Sequence, residues 1–208
     1  MPVPAGHAAV QIAFNVREQT VEPGGEAACS IRVRNLGTIV DRYVLDVSGV
    51  AAGWSTVDPV EVPLYPGTEA TATLRLRPPR APWVSAGFAP VHVRATSKSE
   101  PSVFHDTECV VEVRPFLTVE ATLVPRTSGG TDSAEHRLVV QNSGNRPVQL
   151  VAHASDPDDL LVLSVEPSVL RVDPGQSAVS AVRVTARRAV PPECRSPGPS
   201  GSARGATG

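Results

Sequence analysis

Pro59-Val60-Glu61-Val62-Pro63-Leu64-Tyr65-Pro66-Gly67-Thr68-Glu69-Ala70-Thr71-Ala72-Thr73-Leu74-Arg75-Leu76 decides the fold, because it is a proline–glycine turn feeding a strand and the chain repeats it. The second copy reads Pro167-Ser168-Val169-Leu170-Arg171-Val172-Asp173-Pro174-Gly175-Gln176-Ser177-Ala178-Val179-Ser180-Ala181-Val182-Arg183-Val184, with Pro-Gly in the same place and the same alternation behind it. Apolar residues at every second position put one face of a strand into a core and leave the other in water. A repeat spacing of roughly a hundred residues fits tandem β-sandwiches, whereas solenoid repeats recur every roughly 20–50 residues.

Working outward, Val10, Ile12, Phe14 and Val16 alternate as a first strand. After the turn Glu22-Pro23-Gly24-Gly25, Ala27, Cys29, Ile31 and Val33 face one way and Ser30, Arg32 and Arg34 the other, up to Asn35-Leu36-Gly37. Tyr43, Leu45 and Val47 form another strand face, and Trp54 behind Gly53 is placed to plug the core. Ala70, Ala72, Leu74 and Leu76 point inward, and Pro78-Pro79 ends their strand because proline donates nothing to the ladder. Val91, Val93 and Ala95, then Cys109, Val111 and Val113, predict a closing hairpin that ends near Pro115. Seven short strands with turn signals between them, and no helical apolar stripe, predict an immunoglobulin-like sandwich over 9–115, after a flexible 1–8.

A second unit over 116–188 opens with Leu117, Val119, Ala121 and Leu123, and Leu138-Val139-Val140-Gln141-Asn142-Ser143-Gly144 repeats Ile31 to Gly37. The repeat then fails. Residues 189–208 run through Pro191-Pro192-Glu193-Cys194-Arg195-Ser196-Pro197-Gly198-Pro199-Ser200-Gly201-Ser202, a Pro/Gly/Ser-rich tail expected to be disordered because it has no face to bury. The fold class is therefore all-β, two tandem immunoglobulin-like β-sandwiches, the second incomplete for want of its last hairpin. A short variant of the sandwich, a truncation or frameshift, and strands supplied by a partner all fit that pattern.

Charge and motifs narrow the function. A formal charge of -2, with Lys98 the one lysine and the other basic residues arginine, makes no field for nucleic acid or an anionic membrane. Hydrophobic content of 41% with only 4% aromatic means that small side chains fill the cores. Met1 to His7 is not a signal sequence, and no run of about 20 apolar residues occurs, so a cytoplasmic chain without membrane insertion is expected. Cys29, Cys109 and Cys194 are odd in number and far apart, which suits buried free thiols better than a disulfide framework or a zinc site.

His105-Asp106-Thr107-Glu108-Cys109 gathers catalytic residue types, but on a strand His105, Thr107 and Cys109 share one face while Asp106 and Glu108 share the other. No nucleophile elbow, zinc helix or phosphate loop is present, so no catalytic residue and no cofactor is assigned. Asp156, Asp158 and Asp159 are a weak calcium candidate against an exposed turn. Trp83 and Phe88 either cover the end of the first core or form an aromatic platform for a protein or a sugar.

The chain resembles bacterial immunoglobulin-like domains of the α-galactosidase-associated and surface-glycoprotein type. The resemblance rests on Pro23-Gly24, Asn35-Leu36-Gly37, Ala52-Gly53-Trp54 and Pro66-Gly67, then Asn142-Ser143-Gly144 and Pro174-Gly175. With Val124-Pro125-Arg126-Thr127-Ser128 it is similar, more narrowly, to actinobacterial proteins often labelled hydrolytic, in which a proline-rich linker and a membrane helix follow; this chain shows neither. These are fold motifs, so the resemblance implies an interaction or accessory module and carries over no catalytic residue. The expected function is a non-enzymatic protein-interaction or spacer module that docks a protein partner by an edge strand at the open side of the second unit. The alternative is a carbohydrate-associated accessory module with a glycan as partner.

Overall fold

The computed structural model describes residues 9–129 and 132–187. The first unit runs through β1 (Val10–Phe14), β2 (Glu18–Val21), β3 (Ala27–Asn35), β4 (Asp41–Ser48), β5 (Ser55–Asp58), β6 (Glu61–Leu64), β7 (Glu69–Leu76), β8 (Gly87–Ser97) and β9 (Phe104–Val113), with a 3₁₀ turn at Ala52–Trp54. One sheet has the order β1-β3-β7-β5 and the other β2-β9-β8-β4-β6. The chain crosses between sheets after Phe14: β1 pairs antiparallel with β3, β2 parallel with β9. Ile31, Val33, Leu74 and Leu76 from the first sheet meet Val91, Val93, Ala95 and Val111 from the second, and all eight are at most 0% exposed. Each such aliphatic side chain larger than alanine contributes about 1.5–3 kcal/mol by leaving water.

Nine strands stand where sequence patterning gave seven. β5 and β6 are short, and Pro63 interrupts the apolar pattern of β6; it sits at the edge of the five-stranded sheet, where a missing N–H costs little, while Val62 and Leu64 beside it are buried.

Asp41, at the start of β4, ties down the turn between β8 and β9. Its carboxylate accepts from the hydroxyls of Ser97 and Ser99 and from the backbone N–H groups of Arg42 and Ser99. Burial works to raise its pKa, but these hydrogen bonds outweigh burial and hold it below the ordinary value. With the folded pKa depressed, the contribution to stability is whole above the unfolded value of 3.8 and is lost as pH falls through the lower folded value. Urea midpoints of wild type and Asp41→Asn, measured from neutral to about pH 3, should therefore differ near neutrality and converge in acid.

The second unit contains β10 (Val119–Val124), β11 (Ser133–Asn142), β12 (Val148–Val151), β13 (Leu161–Glu166), β14 (Val169–Val172) and β15 (Ser177–Ala186). Its sheets are β10-β11-β15-β13 and β12-β14. This is the order β1-β3-β7-β5 again, beside a copy of the β4–β6 pair. Registers repeat as well: Tyr43 faces Val62 as Leu150 faces Leu170, and Asp41 faces Leu64 as Val148 faces Val172. The Asp58–Pro59 and Glu166–Pro167 peptides are both cis.

The same asparagine knot closes each unit. Asn35 Nδ2 donates to the Ile39 carbonyl at 2.9 Å and the Leu64 carbonyl at 3.2 Å, and its Oδ1 accepts from Gly37 N–H at 2.8 Å. Asn142 Nδ2 donates to the Arg146 and Val172 carbonyls at 2.9 and 3.0 Å, and its Oδ1 accepts from Gly144 N–H at 2.9 Å. Gly67 and Gly175 complete the turns at φ +75 and +72, where a Cβ would be strained, and donate to the Asn35 and Asn142 carbonyls.

The two units are fastened to each other at this end of the second. Asn145, 1% exposed, accepts from Phe116 N–H through Oδ1 at 2.8 Å, donates through Nδ2 to the Arg114 carbonyl at 3.1 Å, and takes the Ala86 N–H on its own carbonyl at 3.0 Å. Arg80 covers the Phe116 ring with its guanidinium carbon 4.3 Å from the centroid. A side chain on Gly144 would meet the Phe116 carbonyl at 2.6 Å, so only glycine fits there. Among the described residues no helix is long and apolar enough to cross a membrane.

Candidate functional site

Equivalent strands in the two units differ in what covers them. In the first, β8 pairs along β4, from Tyr43 opposite Ser97 to Ser48 opposite His92, and β9 follows it, so that both lay Val and Ala side chains over the facing sheet. In the second, among the described residues, β12 pairs with β14 alone. A small core of Val140, Leu170 and Val172 closes beside the Asn142 knot. The rest of the inward face is only partly covered: Val10 is 1% exposed but its counterpart Val119, opposite Asn142, is 38%. Ile31 and Leu76 are fully buried, while Leu138 and Val184 at the same places are only half-buried.

The uncovered face forms a groove of about 480 Å³ walled by Leu123, Ala134, Leu163, Val182 and Val184, with His136 among them. His136 occupies the place that Cys29 holds in the first unit, and it is 7% exposed. Its Nδ1 lies 2.6 Å from the Pro125 carbonyl and its Nε2 2.9 Å from Ser128 Oγ. A carbonyl only accepts, so Nδ1 carries the proton and Nε2 receives the serine hydroxyl, which satisfies the ring at both ends. A serine beside a histidine has the outline of a nucleophile and its base. Here, however, a neutral carbonyl holds the far nitrogen, where a carboxylate would stabilise an imidazolium, and the arrangement works as a clamp on the 125–128 loop. Sequence reasoning missed this clamp; the available signal was a histidine at an inward position of β11, in step with Leu138 and Val140.

Comparison with known proteins adds the following. No family model matches the chain, and no curated protein matches it. Among solved structures it is similar to the ASH / PapD-like domain 7 of human CEP192, at 18% identity over 55% of this chain and 89% of that one, TM-score 0.37. It is similar to the YadV chaperone at 13% identity, over 84% of this chain and 85% of that one, TM-score 0.35. The Salmonella enterica SafA pilin in complex with the SafB chaperone matches at 11% identity, over 82% of this chain and 83% of that one, TM-score 0.35. Likeness at this level assigns no activity and no partner to the chain.

The residues singled out from sequence lie elsewhere. Trp83 and Phe88 line one cleft of about 360 Å³ with Trp54 at the end of the first unit. They are 68% and 77% exposed, whereas Trp54 packs against the core. On β9, Asp106 forms a 2.7 Å ion pair with Arg94 and Glu108 lies 3.4 Å from His92, on the solvent face, while Cys109 is buried on the other. Asp156 spends its carboxylate on the backbone N–H groups of Asp158, Leu160 and Leu161, and Asp159 pairs with Arg187 at 2.8 Å. Among the described residues no three metal-ligating side chains gather. The expected tail 189–208 and the N-terminal 1–8 lie outside the described residues.

Proposed function

We infer that the chain is a non-enzymatic protein-interaction module whose second unit accepts an extended segment of a partner protein along β12 and across the groove. One observation carries this reading: Val10, Ile31 and Leu76 are sealed in the first unit, where β8 and β9 lie over the facing sheet, while Val119, Leu138 and Val184 at the same register in the second have no such strands over them among the described residues. An unpaired strand edge beside uncovered apolar side chains is the arrangement that strand addition satisfies, with backbone hydrogen bonds giving affinity and alternate side chains giving selectivity. The repeat specifies the ligand's chemistry. It is a strand like β8, which turns Ala89, Val91, Val93 and Ala95 inward and His92, Arg94 and Thr96 outward.

The test uses the full chain and a synthetic peptide with the sequence of β8, Gly87–Ser97, as probe. Fluorescence polarisation should show saturable binding, Val184→Asp in the groove wall should weaken it at least tenfold, and hydrogen exchange at Val148–Val151 should slow when the peptide binds. Absence of saturable binding, or binding with unchanged affinity in Val184→Asp and unchanged exchange along β12, refutes the reading.

A further inference from the structure

Three of the first unit's most exposed apolar side chains stand together. Val50, Trp83 and Phe88 are 73%, 68% and 77% exposed, and with Trp54 and Pro90 they wall the cleft at the end of the unit where the second begins. Trp54 and Trp83 also wall an adjoining cleft, with Thr56, Arg77 and Pro79. No charged side chain lines the first cleft, and in the second the one charge, Arg77, is already paired with Glu26 at 2.8 Å. Single exposed apolar side chains are ordinary, but a contiguous patch marks a docking surface. Two neutral clefts that share a pair of tryptophans suit a proline-rich chain, whose rings pack on aromatic faces and whose fixed φ leaves little entropy to lose on docking.

We propose that these clefts bind the proline-rich segment 190–200 of a second copy of the chain. The segment reads Val190-Pro191-Pro192-Glu193-Cys194-Arg195-Ser196-Pro197-Gly198-Pro199-Ser200, which offers one pair of prolines to each cleft. Glu193 and Arg195, its only charges, fall between the two pairs, so neither cleft has to desolvate one. The path of β15 decides which copy supplies it. A Cβ on Gly175, just ahead of β15, would lie 3.5 Å from Pro82, the neighbour of Trp83, so the strand sets out from the junction between the units. Its ten residues then carry the chain about 33 Å away. Pro191 stands four residues beyond Arg187, a stretch that reaches back at most about 14 Å. Both proline pairs therefore cannot sit at their own chain's clefts together, and a second copy provides them.

The experiment takes the full chain with Cys194→Ser, so that thiols cannot cross-link copies, and follows its mass by sedimentation equilibrium. The weight-average mass should rise with concentration. Trp83→Ala, and separately Pro191→Ala, Pro192→Ala, Pro197→Ala and Pro199→Ala made together, should each hold the chain at monomer mass. Trp83 and Phe88 are exposed, so Trp83→Ala leaves the core intact, and Phe88→Ala serves as a second variant with the same expected result. A labelled peptide of residues 190–200 carrying the same Cys194→Ser change should bind the full chain saturably by fluorescence polarisation, and about tenfold more weakly in Trp83→Ala. Val184→Asp, in the groove of the second unit, should bind that peptide as the parent does. A chain that stays monomeric at every concentration, self-association unchanged in Trp83→Ala or in the proline variant, or peptide binding lost in Val184→Asp overturns the proposal. Decaproline that binds where the 190–200 peptide does not overturns it as well, since the ligand would then belong to another protein.

Discussion

Ile31→Ala should cost the first unit about 3–5 kcal/mol, while Leu138→Ala, at the same place in the second, should cost about 1 kcal/mol. Both residues lie on the inward face of the second strand of their units, opposite the strand that follows the Pro-Gly turn: Ile31 faces Ala72 and Leu138 faces Ser180. What differs is the roof. Ile31 is 0% exposed beneath the second sheet, so truncation removes its transfer energy and leaves a void that rigid neighbours cannot fill. Leu138 is only half-buried, at the margin of the small core of Val140, Leu170 and Val172, so part of its surface was never withdrawn from solvent. Trp54 and Trp83, the chain's two tryptophans, both lie in the first unit, so fluorescence follows that unit in urea while hydrogen exchange at β11 follows the other. Equal losses at the two positions would mean that the second unit is covered after all. With the β8 peptide bound, the cost of Leu138→Ala should rise toward that of Ile31→Ala, which ties the packing argument to the docking site.

Alternation tells where a strand runs and which side is apolar, but not what lies across from it. Val10, Ile12 and Phe14 read the same way as Val119, Ala121 and Leu123, yet the first set is largely buried and the second largely exposed. The strands with clear period-two runs and the internal repeat were legible, down to the inward parity of Cys29, Leu74 and Val111. β5 and β6 were not, because four residues hold too few inward positions to establish a period, and Pro63 argues against the second of them. The groove's histidine clamp depends on how the 125–128 loop folds back, which local spacing does not encode. Trp83 and Phe88 illustrate the limit from the other side: an aromatic pair near a core end reads as a cover, yet both side chains are exposed, Phe88 because it stands out of step with the inward Val91, Val93 and Ala95 of β8.

Removing the knot should be the most damaging polar change, and more so in the second unit than in the first. Asn35→Ala leaves the Ile39 and Leu64 carbonyls and the Gly37 N–H without the partner that now serves all three, at a site 1% exposed to water. Each stranded group costs about 1–3 kcal/mol, and loop relaxation recovers part of it, so a loss of about 3–5 kcal/mol follows. The large first core should survive this. Asn142→Ala strands the Arg146 and Val172 carbonyls and the Gly144 N–H in the same way, but the core that has to absorb the loss is only Val140, Leu170 and Val172 with a few half-buried neighbours. The same loop carries Asn145 to Phe116, so freeing it also loosens the fastening between the units. Asparagine to aspartate offers no rescue at either position, because a carboxylate would face two carbonyl oxygens with no proton to give them. Backbone amide spectra should show Asn35→Ala folded throughout but with a lower urea midpoint, and Asn142→Ala with β10 to β15 collapsed to unfolded shifts while the first unit persists. A second unit that stays folded in Asn142→Ala would mean that its two sheets are held by apolar contact alone. In that case the open groove would lie beside a core stronger than its three buried side chains suggest.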